Sequence, residues 1–305
     1  KTSPWIVVLI LVATLLYGVF ESTITMLFAR QYNPTFTFRQ AFGMTYFVSF
    51  YRTATLGSGA GVSALVYLNE YGVKTSEAFG MYMIEYAVHK LSIGIMAVIL
   101  YLLHFHYMNE TFAEYEAYIG IGFVATVIIT ICLLLFVCAG WFHQILKKLM
   151  DLVNYKGRFT EKFDKIKEQC DIMEEAATHV ENAKAEYEAV TGEYNDLLIN
   201  FCKFSCWFMI PYIVLYKSGA FSPDVALAIT TVSVMLAAVI PTPAGIGSSE
   251  FVMIAMFGAI VGSAKAGAMA LLYRFATFVF PCALGAAYAA KFAVIKQRKN
   301  KKKEV

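Results

Sequence analysis

Apolar residues fall along this chain in long blocks, and the length of each block decides what it can form. A hydrocarbon core of about 30 Å needs about 20 helical residues to cross it. Trp5 to Phe28, Ala78 to Leu103, Tyr118 to Phe142, Leu197 to Tyr216 and Ala266 to Ile295 are each long enough, so five spanning helices are expected. Two further apolar stretches are broken by Gly or Pro into halves too short to cross alone. Ala41 to Ala54 meets Val62 to Leu68 across a turn containing Gly57, Gly59 and Gly61. Val225 to Ile240 meets Phe251 to Ala264 across Pro241-Thr242-Pro243-Ala244-Gly245-Ile246-Gly247-Ser248-Ser249-Glu250. A helix of about 14 residues rises only about 21 Å. Each pair is therefore expected to be a re-entrant hairpin, near 41–68 and 225–264, that turns back close to mid-membrane.

Composition agrees with that pattern. The chain is 59% apolar and only 15% charged, where soluble domains carry about 25% charge. It reads as an integral membrane protein, which excludes a nucleic-acid binder, a secreted disulfide module and a soluble enzyme. Five of the six cysteines lie in apolar runs and are expected to be reduced. Cys202 and Cys206 stand one helical turn apart without His or further Cys nearby, so no metal site is expected. No G-x-x-x-x-G-K-[ST] loop occurs, and no cofactor is implied.

A net charge of +3 says little, but its distribution sets orientation. Six of the eight residues from Lys296 to Lys303 are basic, so the tail 296–305 is expected in the cytoplasm. Lys147, Lys148, Lys156 and Arg158 place the far end of the Tyr118 span inside as well, while His104 to Ala117 has acids and no Lys or Arg and is expected outside. The first hairpin then enters from the cytoplasm and the second from outside. This is the pattern of an inverted repeat, with a binding site where the halves meet.

The expected organisation is a first transmembrane repeat over 1–142, a charged cytoplasmic helical insertion over 143–200, a second repeat over 201–295 and the basic tail. The same scheme leaves Lys1 outside and implies a helix ahead of it. The insertion reads as a solvated connector or a docking site for a partner. Its Lys147 to Lys167 part is basic enough to lie on an anionic membrane surface. Self-association is left open.

Ionisable groups at mid-bilayer are costly and ask for a partner or a wet cavity. Glu21, Arg52, Glu85, His89, Lys90, Lys203, Glu250 and Arg274 all fall within expected membrane segments. Glu85 and His89, four residues apart, project from one helix face. They either pair to fix packing or line a translocation path. Arg52 and Arg274 have the fork that grips phosphate bidentately, or else they neutralise Glu85 and Glu250 inside the protein. At the two breaks, Gly permits close backbone approach, while Ser63, Ser248 and Ser249 sit near helix starts whose free N–H groups attract anions. Thr242 keeps a hydroxyl available between Pro241 and Pro243. The candidate lipid-headgroup contacts are thus Arg52, Gly57, Gly59, Gly61, Ser63, Glu85, His89, Thr242, Gly245, Gly247, Ser248, Glu250 and Arg274. No catalytic residue is assigned.

The segment Ile240 to Glu250 resembles the P-T-P-G-G-x-G-x-x-E signature of the lysylphosphatidylglycerol synthase transmembrane, or flippase-like, family. Thr53 to Ser63 looks like that family's first glycine-rich break, and the resemblance runs from about Trp5 to Ile295. Ala244 stands where the family usually has Gly, and Leu56 where it often has Pro. The resemblance implies an all-α polytopic protein of the bacterial inner membrane that flips an anionic or aminoacylated phospholipid, such as phosphatidylglycerol or its derivative, between leaflets. Members that synthesise the aminoacyl lipid carry a separate cytoplasmic acyltransferase-like domain, which is not expected here. Two alternatives are a membrane module of an aminoacyl-phosphatidylglycerol transferase and a secondary transporter of a small anion.

Overall fold

The computed structural model describes residues 3–138, 148 and 195–303. The insertion expected over 143–200 lies almost wholly outside the described residues. In chain order the helices are α1 (Pro4–Tyr32), α2 (Phe38–Ala54), α3 (Ala60–Glu70), α4 (Thr75–Leu103), α5 (Phe105–Thr111), α6 (Glu116–Cys138), α7 (Asn195–Phe208), α8 (Ile210–Leu215), α9 (Pro223–Val239), α10 (Ser248–Val261), α11 (Ser263–Arg274) and α12 (Phe280–Lys303). All regular structure among the described residues is helical, as the apolar blocks require of a polytopic membrane protein.

Among the described residues, six helical stretches are long and apolar enough to cross a membrane. Five coincide with the expected spans. The sixth, Pro243–Val261, begins inside the second break and reaches 19 residues. The other arms stay short: α2 and α9 have 17 residues each and α3 has 11.

Three local features depart from the sequence reading. The Leu197 to Tyr216 span divides at Met209 into α7 and α8, because Pro211 supplies no N–H to continue the ladder. The last span widens into a π-helical turn over Phe275–Val279, directly after Arg274. The loop from His104 to Ala117 contains α5 and a 3-10 turn.

Each break ends its helix by a nameable device. After α2, Leu56 and Gly57 take positive φ of 52° and 101°, and the Gly57 N–H reaches back to the Arg52 carbonyl at 2.7 Å. That bond is the six-to-one closure of a left-handed helix end. The Gly59 N–H donates to Thr55 Oγ1 at 2.7 Å and prepares the start of α3. After α9, Ile240 precedes Pro241 and is extended, with φ −80° and ψ 116°. Ala244, Gly245 and Gly247 then turn the chain with φ of 53°, 68° and 87°.

The two broken pairs open at opposite ends of α4. Asn33 Nδ2, just past α1, donates to the Tyr71 carbonyl at 2.7 Å and ties the mouth of the α2–α3 pair to the start of α4. His104 Nε2, at the end of α4, lies 3.0 Å from Asp224 Oδ2, at the start of α9. The tips meet between these ends, where a Cβ on Gly57 would lie 3.4 Å from the Ala244 backbone nitrogen.

The buried core follows this arrangement. Met253, Phe257, Met269 and Tyr273 join α10 and α11 to α9 and the C-terminal half of α4. Phe36, Phe47, Leu68 and Met81 pack α2 and α3 between α1, α4 and Phe292 of α12. Tyr17, Ile93, Phe204 and Phe208 join α1, α4 and α7. Helix α6 leaves Ile121, Val124 and Ile128 exposed. An apolar face of that kind suits a lipid surround.

Candidate functional site

A cavity of about 450 Å³ opens between α1, α2, α3, α4, α7 and the start of α12. Its walls bring together Glu21 from α1, Arg52 from the last turn of α2, and Glu85 and His89 from one face of α4. Gly57, Ala60 and Gly61 bring the backbone of the first break into the wall. Tyr82, Tyr86 and a stacked pair, Tyr17 on Trp207 with ring centroids 3.5 Å apart, supply aromatic surface. Polar groups thus converge from helices that are distant in sequence, inside otherwise apolar walls, which is the usual build of a ligand site.

The charges in this cavity are held differently. Glu85 Oε1 accepts a hydrogen bond from Thr25 Oγ1 at 2.6 Å. Glu21 Oε2 accepts from the Lys203 ammonium at 2.7 Å, and that nitrogen also lies 3.3 Å from His89 Nδ1. Arg52 closes no ion pair with a carboxylate among the described residues, although its side chain lines the same space as Glu85.

The second break builds a separate network. Arg274 Nε donates to Glu250 Oε1 at 2.8 Å, and the Gly247 N–H donates to Glu250 Oε2 at 2.8 Å. Glu250 therefore caps α10 and binds the arginine with its two oxygens. The Arg274 guanidinium also lies over the Phe278 ring, 4.6 Å from its centroid. Thr242 Oγ1 and Ser248 Oγ share a hydrogen bond at 2.7 Å across the turn.

The structure thus places five of the thirteen candidate residues, Arg52, Gly57, Gly61, Glu85 and His89, on one cavity. Thr242, Gly245, Gly247, Ser248, Glu250 and Arg274 form the opposite tip, with Arg274 engaged by Glu250. Gly59 sits at the start of α3, and the Ser63 hydroxyl donates to the Ala60 carbonyl at 2.8 Å. Neither Gly59 nor Ser63 lines the cavity. Glu21 and Lys203 stand out in the sequence as membrane-embedded charges, but their place beside His89 follows from no spacing. Tyr17, Tyr82 and Trp207 carry no sequence signal at all. Among the described residues, no group of three His, Cys, Asp or Glu side chains could hold a metal ion.

Comparison with known proteins adds one firm finding. No curated protein matches the chain. The family model described as the lysylphosphatidylglycerol synthase TM region matches residues 1–285, which covers both breaks, the cavity and the Arg274–Glu250 pair. The chain belongs to the lysylphosphatidylglycerol synthase transmembrane-region family.

Proposed function

We propose that this protein carries the headgroup of an anionic phospholipid, phosphatidylglycerol or an aminoacylated derivative, between the leaflets of a bacterial inner membrane. On this reading it is a lipid transporter, with the headgroup in the cavity and the acyl chains left in the bilayer. Arg52 carries the argument. A guanidinium keeps its charge and forks onto phosphate oxygens, and this one faces a cavity with no described carboxylate bound to it. Glu85, one turn from His89 on the same face, suits the cationic part of an aminoacylated headgroup.

The contact of Gly57 with Ala244 supports a mechanism of alternating exposure. Two broken helix pairs that open at opposite ends and touch at their tips form the kind of repeat interface across which secondary transporters rock. In this scheme the breaks are re-entrant hairpins of an inverted repeat, divided as 1–142 and 201–295, with the C-terminal tail in the cytoplasm. Arg274 and Glu250 then brace the second tip.

A second reading, favoured by the family's own description, makes the chain the membrane module of an enzyme that aminoacylates phosphatidylglycerol. The cavity would then hold acceptor or product lipid. Reconstitution separates the two. Vesicles containing the protein should lose inner-leaflet fluorescent phosphatidylglycerol to dithionite faster than empty vesicles. Arg52→Ala should slow that loss about ten- to hundredfold, the equivalent of a charge-assisted contact of about 1.5–3 kcal/mol. Equal rates in empty and protein-containing vesicles would overturn the transporter reading.

A further inference from the structure

Lys203 of α7 is the one fully buried charged side chain among the described residues, 1% exposed. Its ammonium lies 2.7 Å from Glu21 Oε2 on α1 and 3.3 Å from His89 Nδ1 on α4. It also sits over Phe204, 4.7 Å from the ring centroid. One buried nitrogen therefore joins three helices, and two of its partners, Glu21 and His89, are also walls of the cavity.

Valence fixes the state of the imidazole. An ammonium has three N–H donors and no lone pair, so His89 Nδ1 must accept, which makes the ring neutral with its hydrogen on Nε2. A proton added at Nδ1 would turn that acceptor into a donor facing another donor. Lys203 would have to leave His89 while keeping Glu21, so the polar link from α4 to α7 would break while that from α1 to α7 held. Such a two-position cluster is a switch element, not merely packing.

Cavity charge decides which position prevails. Sharing the cavity with His89 are Tyr17 and Glu21 from α1, Tyr46 and Arg52 from α2, and Tyr82, Glu85 and Tyr86 from its own helix, while Lys203 of α7 touches the ring and Lys90 is its neighbour in sequence. Both cations and carboxylates therefore stand around His89 in this space. A phosphate bound at Arg52 would add negative charge to the same 450 Å³ space and tip this balance. Linkage then requires the converse, that a protonated His89 binds the phosphate more tightly.

We infer that His89 is a proton-binding site linked to the headgroup cavity, so that an anionic phospholipid and a proton occupy the protein together. The inference rests on the phosphate reading of the cavity. It gives a transporter without a nucleotide-binding loop a coupling ion, released with the lipid when Lys203 returns to His89.

The test uses the whole protein in phosphatidylcholine nanodiscs with and without phosphatidylglycerol. Nitrogen-15 histidine NMR follows the His89 titration, with the resonance identified by its loss in His89→Gln. Phosphatidylglycerol should move the midpoint upward by about one pH unit, a tenfold change in proton affinity. Arg52→Ala should remove that dependence on lipid. Reciprocally, short-chain phosphatidylglycerol should bind wild-type protein about tenfold more tightly below the midpoint than above it, and His89→Gln should lose this difference. A midpoint identical in the two lipid mixtures overturns the inference even if transport is observed. Absence of transport alongside a lipid-dependent midpoint overturns the transporter reading and supports the linked proton site.

Discussion

Gly57 and Ala244 touch across the middle of the fold, with the Ala244 nitrogen 3.4 Å from the point where a Gly57 side chain would begin. Both belong to left-handed turns, Gly57 at φ 101° and Ala244 at φ 53°. A Cβ on Gly57 would meet Ala244 at ordinary van der Waals distance, so the positive φ rather than crowding penalises a side chain there. Gly57→Ala should lower unfolding stability by about 1–2 kcal/mol. Measured by thermal unfolding in detergent, a neutral result would mean that the turn relaxes to a conformation an alanine can adopt.

Ala244 makes the opposite prediction. A left-handed residue with a Cβ costs about 1–2 kcal/mol, whereas glycine costs about 0.5–1 kcal/mol in extra unfolded-state freedom. Ala244→Gly should therefore stabilise the protein by roughly 0.5–1 kcal/mol. Leu56, at φ 52°, shows the same strain in the first break. Leu56→Gly should act in the same direction, and the two gains should be read separately, because the tips are in contact.

Glu250 offers one oxygen to Arg274 and the other to the Gly247 N–H, with the two side chains 24% and 15% exposed. Removing the arginine strands a carboxylate that is mostly enclosed. Arg274→Met should cost about 1–3 kcal/mol, below the 3–5 kcal/mol of a fully buried pair because some solvent reaches it. Arg274→Met with Glu250→Gln should recover part of that loss. A double-mutant cycle with no coupling would show that the two groups act independently.

Much of the fold was legible because it is set by block length. A run such as Trp5 to Phe28 can satisfy its backbone in lipid only as a helix, and α1 follows it closely. The breaks were legible for the same reason, since Pro241 and Gly57 interrupt runs that would otherwise cross. Glu250 opens α10 and Arg274 ends α11, 24 residues on, and their pairing was foreseeable as one of two outcomes. The Lys203 contacts were not, because Glu21 and His89 lie 182 and 114 positions away and meet it only after three helices pack. The π turn after Arg274 has no compositional mark, and the seven-residue α5 is too short to show a period.

Tyr46 separates two close helix crossings whose costs should differ. A methyl on Gly285 of α12 would overlap the Tyr46 carbonyl oxygen, which is backbone and cannot yield without moving α2. A methyl on Gly18 of α1 would overlap the Tyr46 hydroxyl, a side-chain atom. Gly285→Ala should cost about 1–3 kcal/mol as overpacking, and no change at Tyr46 that leaves its backbone in place should rescue it. The Tyr46 hydroxyl is buried without a hydrogen-bond partner among the described residues. Tyr46→Phe should thus be neutral or slightly stabilising, and it should rescue Gly18→Ala. Equal rescue of both glycine variants would contradict the assigned contacts.

Asp224 predicts how acid acts on the N-terminal end of α9. The Ser222 hydroxyl holds its carboxyl below the usual carboxylate range, helped by the first N–H groups of the helix and by His104. A depressed folded-state pKa contributes stability above the unfolded value of about 3.9, and that contribution is lost as pH falls through the lower folded value. Asp224→Asn should lower the thermal midpoint at neutral pH, where the helix start favours a negative charge. The side chain is 63% exposed, so the difference should be small and should shrink with added salt. Unfolding of both proteins in detergent should give curves that converge below about pH 4. A gap that stays constant into acid would assign the effect of the substitution to something other than the carboxylate charge.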